Sequence, residues 1–180
     1  MAKQLAFLRE MVPRAARVVL FVNPANIRNL GATEREAPPS ARALGLELKM
    51  LRASTAQEID AGFATFAGEP ADALFLAVDG FFAIRRAQFV QQAAHNRLPA
   101  LYPDREYVEM GGLMSYASNI AEAFRQAGVY AGRLLKGAKP ADLPVIQSSK
   151  FEFVINLNTA KAFNLSLSPG LLAIADEVIE

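Results

Sequence analysis

Val18-Val19-Leu20-Phe21-Val22, running straight into Asn23-Pro24-Ala25-Asn26, is a β-branched and aromatic run ended by turn-forming polar residues. Such a run reads as a buried strand, and its polar end as the exit into a loop. Comparable runs begin at Leu46 (LELKML), Asp72 (DALFLAV) and Leu98 (LPALY). They recur about every 26 to 28 residues, room for a strand, a crossover helix and two loops, so the pattern predicts βα units joined into a parallel sheet.

The intervals carry helical signals. Behind Ser54-Thr55, Ile59, Phe63 and Phe66 fall at helical spacing, and Glu58 is placed to complete a capping box. Phe82, Ile84, Phe89, Val90 and Ala93 do likewise between the third and fourth runs. Pro38-Pro39 is incompatible with a helix interior, so the helix before the second strand is placed at Ser40 to Leu44, closed by Gly45. Beyond Tyr102 the rhythm changes. Tyr107 to Gly112 reads as a short helix and turn, Leu113 to Tyr116 as a strand, and Ile120 to Leu135 as a long amphipathic helix stopped by Gly137. A loop with Pro140 and Pro144 leads to a strand at Phe151 to Ile155, then to closing helices at Thr159 to Phe163 and Pro169 to Val178.

The chain has 180 residues, 52% hydrophobic and 21% charged. That is the size of one globular domain or two small ones, able to bury about 70% of its extended-chain surface. It has no cysteine, which excludes thiol catalysis, disulfide frameworks and cysteine-ligated zinc. Its 19 Lys+Arg against 18 Asp+Glu show no basic stripe, arguing against a nucleic-acid binder. The apolar runs are too short to span a bilayer, which takes about 20 residues. Met1 to Glu10 lacks an apolar core and a small-residue cleavage site of the export-signal kind.

In open parallel α/β sheets the ligand lies beyond the carboxyl ends of the strands. The residues there are Asn23 to Asn26, Arg52 to Ser54, Asp79-Gly80 and Tyr102 to Asp104. They include no glycine-rich phosphate cradle, so a dinucleotide or triphosphate site is not expected, and a small polar or zwitterionic ligand is. Each candidate has two readings. Asn23 and Asn26 suit a turn entering a helix or a ligand contact. Asp79 caps a helix at Phe81 or receives a ligand ammonium. Tyr102 and Tyr116 pack inward or stack on a ligand. Gly111-Gly112 supplies a positive-φ turn, and Gly112 also lets the main chain approach a ligand. Ser115 and Asn119 hydrogen-bond a carboxylate or cap the helix from Ile120. His95, the single histidine, falls late in a helix at the opposite edge, and Arg85-Arg86 and Arg105-Glu106 read as solvated faces. No catalytic triad, carboxylate pair, metal-ligand cluster or cofactor motif emerges from the spacing.

Several stretches together resemble the ABC-transporter substrate-binding proteins of periplasmic-binding-protein-like fold. They are FLREMVPRAARVVLFVNPAN, ASTAQEIDAGFATF, ADALFLAVDGFF, RLPALYPDREYVEMGGLMSYASN, AGRLLKGAKPADLPVIQSSKFEFVINLNTAKAFNL and SPGLLAIADEVIE. The resemblance runs from about Leu5 to Glu180. It implies an α/β lobe with flavodoxin- or Rossmann-like layering that captures an amino acid, aromatic ones in particular, for ABC permease subunits and without chemical change.

The family pattern begins with an export signal and a first lobe of about a hundred or more residues; this chain starts where the second lobe normally begins. The resemblance therefore implies residues 1–112 as a second-lobe ligand-binding domain and 113–180 as a return segment normally packed on the first lobe. Asn23, Asn26, Asp79, Tyr102, Gly112, Ser115 and Tyr116 are its expected ligand-binding residues. The expected location is the periplasm for the full-length family, or the cytoplasm if Met1 is the natural start. An apolar face of Phe151, Phe153, Ile155 and Phe163 left without a first lobe predicts self-association. A cytoplasmic small-molecule sensor domain, a truncated half-receptor without transport activity, and a small α/β hydrolase or transferase are the rival readings.

Overall fold

A computed structural model describes residues 1–145 and 150–180 of the chain. The resembling stretch from Ala131 to Leu165 includes residues 146–149, which lie outside the described residues. All four apolar runs are strands: β1 (Arg17–Val22), β2 (Glu47–Arg52), β3 (Ala73–Leu76) and β4 (Ala100–Tyr102). β5 (Met114–Ser118) extends their parallel array, β6 (Phe151–Asn156) pairs antiparallel to β5, and β7 (Glu177–Ile179) runs parallel to β6. Among the described residues these form one sheet in the order β2-β1-β3-β4-β5-β6-β7. The winding reverses between β1 and β3, which makes their carboxyl ends the topological switch point of the sheet.

The residue types explain the layering. Val18 to Val22, all of β3 and all of β4 are buried, as continuous apolar runs between two helical layers must be. β2 sits at an edge, and its Glu47 and Lys49 keep that edge wet. One face packs on α1 (Ala2–Met11) and α2 (Ile27–Ala43) through Leu5, Leu8, Val18, Leu20 and Phe153. The other packs on α3 (Ala56–Ala64), α4 (Gly80–Ile84), α5 (Arg86–His95) and α6 (Arg105–Glu109) through Phe21, Phe63, Phe82 and Phe89. Thr55 and Glu58 form the expected capping box on α3.

Three expectations are corrected. α2 is not confined to Ser40 to Leu44; it spans Ile27–Ala43 with Pro38 and Pro39 inside it. Thr33, Ala37 and Ala41, four residues apart, are buried in the sheet-facing layer, and this tertiary packing holds the helix together. The carbonyls that the prolines leave without helical donors belong to Glu34 and Arg35, half-buried and exposed, within reach of water. The closing segment is not a helix from Pro169 to Val178. α9 (Pro169–Ala173) stops early, and Glu177–Ile179 becomes β7 because Asp176 clamps β6: its amide donates to Phe153 O at 2.9 Å and its carboxylate accepts from Phe153 N at 2.8 Å.

The third correction concerns the apolar face expected to need cover: Phe151 is half-exposed, but Phe153 and Ile155 are buried. α1, which the repeat pattern does not include, covers them: Phe7 stacks on Phe153 at 4.4 Å and 6°. Among the described residues the helix left uncovered is α7 (Ile120–Leu135). It has no buried residue, and Phe124 and Leu135 are 73% and 89% exposed. α8 (Leu157–Ala162) completes the set, capped by Asn156, whose side chain accepts from Thr159 N.

Candidate functional site

The loops leaving β1 and β3 meet at the switch point. Asn23 Nδ2 donates to Asp79 Oδ1 at 2.9 Å, and Asn26 Nδ2 donates to Asp79 Oδ2 at 2.8 Å. Asn29 Nδ2 donates to the Val78 carbonyl at 3.0 Å, so three asparagines hold the β3 exit. The local roles are also present. Asn23 Oδ1 accepts from Ala25 N, Asn26 caps α2, and Asp79 caps α4 by accepting from the Phe81 and Phe82 amides at 2.9 and 3.3 Å. Burial pushes the Asp79 carboxyl up, but the hydrogen bonds from Asn23, Asn26, Phe82 and Phe81 outweigh it and hold it below the ordinary carboxylate range. Asp79 is thus an anion at neutral pH. Oδ2 accepts one hydrogen bond among the described residues and keeps capacity for another.

Beside this cluster a cleft of about 700 Å³ runs along the same sheet edge. Val78 and Pro103 line it from beyond β3 and β4, and Tyr116, Ala117 and Ser118 from the end of β5. Ile120 and Phe151 close one side, and the start of α1, with Met1, Lys3 and Gln4, closes another. The lining is aromatic where β5 meets β6: Tyr116 and Phe151 stack at 5.3 Å and 8°, and Phe151 is 49% exposed. Gln4 Nε2 donates to the Tyr116 carbonyl at 3.0 Å, tying α1 to the strand end.

Of the expected residues, the structure brings Asn23, Asn26 and Asp79 into one hydrogen-bonded group and sets Tyr116 in the neighbouring cleft. It does not bring Tyr102 there. That ring is buried among the helices of the α3 to α6 layer, stacked on Tyr107 at 4.9 Å and 15°. Burial pushes both phenols well above their ordinary value, so each is neutral. Gly111 takes the expected positive φ, 102°. Gly112 serves close packing: a Cβ there would lie 2.6 Å from Tyr102 Cε2 and 2.7 Å from the Tyr107 carbonyl. Ser115 is buried in β5 opposite Tyr102 and lines a smaller pocket of about 130 Å³ with Asp104 and Arg105. Asn119 caps α7 by accepting from Glu122 N at 2.9 Å.

Other charged groups have structural partners. Arg86 pairs with Glu106 at 2.7 Å, and Arg105 binds Glu109, Glu152 and Glu177 at 2.7, 2.8 and 2.9 Å, tying α6 to β6 and β7. His95 ends α5, exposed. Among the described residues no group of acidic and histidine side chains is placed to hold a metal, and no helix is long and apolar enough to cross a membrane. The reading from sequence missed Lys3, Gln4 and Phe151. Leu5, Leu8 and Met11, three apart and buried, are the signal that would have identified α1 and brought its first turn to this edge.

Comparison with known proteins gives the arrangement a context. Over residues 1–179 the chain matches the sequence profile described as ABC transporter substrate binding protein. A curated relative, the tyrosine-binding protein of Clostridioides difficile (strain R20291), is 21% identical over 163 residues, 91% of this chain and 47% of the relative. The chain thus spans about half the length of that relative. Among solved structures, the ABC domain in complex with L-Trp from Streptococcus pneumonia superposes with a TM-score of 0.87 at 23% identity, covering 99% of this chain and 61% of that one. A conserved domain protein from Vibrio cholerae also superposes with a TM-score of 0.87, at 20% identity over 98% of this chain and 59% of that one. The two solved structures share the α/β fold of this chain, and the profile match over nearly the whole length decides the family: this chain belongs to the ABC transporter substrate-binding proteins.

Proposed function

We propose that the chain forms one wall of a cleft that captures an aromatic amino acid reversibly and without chemical change, as the solute-binding part of an ABC uptake system. The observation that carries this reading is the open cleft at the carboxyl edge of the sheet, walled by the Tyr116–Phe151 stack and lined by Val78, the residue before the ionised Asp79. A planar side chain gains from laying its face on such a stack, and a zwitterion needs an anion for its ammonium. The relatives named for tyrosine and L-Trp support the ligand class.

In this reading Asp79 meets the ligand ammonium, Asn23 and Asn26 aim its carboxylate, and Tyr116 contacts the ligand side chain. Tyr102, Gly112 and Ser115 act from beneath by fixing β4 and β5. Residues 1–112 supply the strand ends, and 113–180 supply both the far wall of the cleft and α7. The exposed apolar face of α7 is the part of this return segment that meets a first lobe, in a whole protein that works outside the cytoplasmic membrane beside its permease. Closure of two lobes on the ligand would then shift the population toward the closed state.

Isothermal titration of the purified chain against the amino acids tests the proposal. Saturable heat with L-tyrosine or L-tryptophan, and less with aliphatic residues, is the expected result. Silence toward every amino acid would reject it.

A further inference from the structure

Lys3 is the one charged side chain among the described residues that line the 700 Å³ cleft. Its ammonium lies 4.9 Å from the centre of the Tyr116 ring and 5.5 Å from that of Phe7. Among the described residues it makes no ion pair, so no carboxylate competes for it. Its side chain is exposed, and the helix that carries it is anchored. Leu5 and Leu8 are fully buried two and five residues on, and the next residue, Gln4, is bonded to the Tyr116 carbonyl.

A cation over aromatic faces is held by their quadrupoles, an attraction that leaves its N–H donors unspent. Apart from Gln4 and Ser118 the surrounding lining is aromatic and aliphatic, so an anion arriving there would meet a positive charge beside largely apolar walls, less screened than in bulk water. The Tyr116–Phe151 stack is contiguous with that charge through Tyr116 itself. The pair therefore matches a carboxylate borne on a planar apolar group.

We propose that Lys3 receives the carboxylate of the ligand in this cleft, at the opposite end of the amino acid from Asp79. This rests on the reading above that the cleft takes an aromatic amino acid, and adds how its two charged ends are told apart. The first turn of α1, absent from the repeat pattern, thereby becomes a specificity element.

The test uses the full chain, wild type and Lys3→Gln, titrated to millimolar concentration with L-tryptophan and separately with L-tryptophanamide, which lacks the carboxylate. The chain contains no tryptophan, so indole fluorescence and resonances belong to the ligand alone. L-tryptophan is expected to bind Lys3→Gln about tenfold more weakly than wild type, the scale of one charge-assisted contact, and the amide to bind both forms alike. Lys3→Arg is expected to recover most of the loss. Equal binding of L-tryptophan by wild type and Lys3→Gln would overturn the role of Lys3 while leaving the aromatic cleft standing. Failure of the wild type to bind either probe would overturn both.

Discussion

Asn26 reaches across the switch point of the sheet and donates its side-chain amide to Asp79 at 2.8 Å, joining two residues that stand 53 positions apart in sequence. Asn23 does the same to the other carboxylate oxygen, so the exits of β1 and β3 are fastened by one buried anion. Replacing Asp79 with Asn would set an amide donor against one of these two asparagine donors. The expected cost is about 1 to 3 kcal/mol, since a buried donor then goes unpaired. Thermal melting of Asp79→Asn should show it as a fall of roughly 2 to 4 °C for each kcal/mol lost.

The same carboxylate gives a pH dependence of known sign. Its folded-state pKa is lowered, because the Asn23, Asn26, Phe82 and Phe81 hydrogen bonds outweigh the burial that pushes it up. The folded state thus binds its proton less readily than the unfolded state, whose carboxylate titrates at about 3.9. The stability Asp79 contributes is complete above that value and is lost as pH falls through the folded-state value. Denaturant midpoints for wild type should decline in that acid window more steeply than those of Asp79→Asn. Parallel curves would contradict the assignment.

Gly112 is a packing requirement. With Tyr102 Cε2 and the Tyr107 carbonyl 2.6 and 2.7 Å from where its Cβ would lie, Gly112→Ala must displace a buried ring or backbone. Overpacking of this kind costs about 1 to 3 kcal/mol. Chemical denaturation of Gly112→Ala should register that loss, and an unchanged midpoint would mean that the Tyr102–Tyr107 stack yields freely.

Pro38 and Pro39 lie inside α2, where proline costs about 3 kcal/mol relative to alanine. Part of that is offset by the chain entropy that proline removes from the unfolded state, about 0.4 to 1 kcal/mol per site. Pro38→Ala with Pro39→Ala should therefore raise the melting temperature, a direct check on whether α2 is continuous from Ile27–Ala43. A fall would place a break at the prolines.

The exposed apolar face of α7 makes a separate claim. Phe124→Glu with Leu135→Glu removes two side chains that are 73% and 89% exposed, so stability should change by less than about 0.5 kcal/mol. Self-association of the chain, read by light scattering, should fall sharply. A wild-type chain that is monomeric at all concentrations would contradict the idea that this face needs cover.

The parts of the fold legible in sequence are those where pattern and burial agree. The runs from Val18, Asp72 and Leu98 are β1, β3 and β4 because central strands of a covered parallel sheet are apolar on both faces, and the alternating Leu46 run is the half-exposed edge strand β2. The Thr55–Glu58 box and α7 at Ile120–Leu135 follow from short-range signals alone. What escaped depends on distant partners. α2 persists through two prolines because the sheet holds Ala37 and Ala41, and β7 exists because Asp176 bonds Phe153. The site divides in the same way. Asn23, Asn26 and Asp79 were legible because position after a strand is enough to bring them to one edge. Tyr102 misleads, since on a strand covered on both faces the sequence does not say which layer a given side chain meets, and the place of Lys3 at this edge depends on α1 packing against β5 and β6 through Phe7.

The proposed function requires that an aromatic amino acid bind at the carboxyl edge of this sheet. The most direct measurement is an amide-resolved NMR titration of the chain with L-tryptophan and L-tyrosine. Saturable shifts are expected at Val78, Asp79, Tyr116, Ser118 and Phe151, with Phe66 and Asn96 at the opposite edge unmoved. Shifts confined to that opposite edge, or none at saturating ligand, would contradict it.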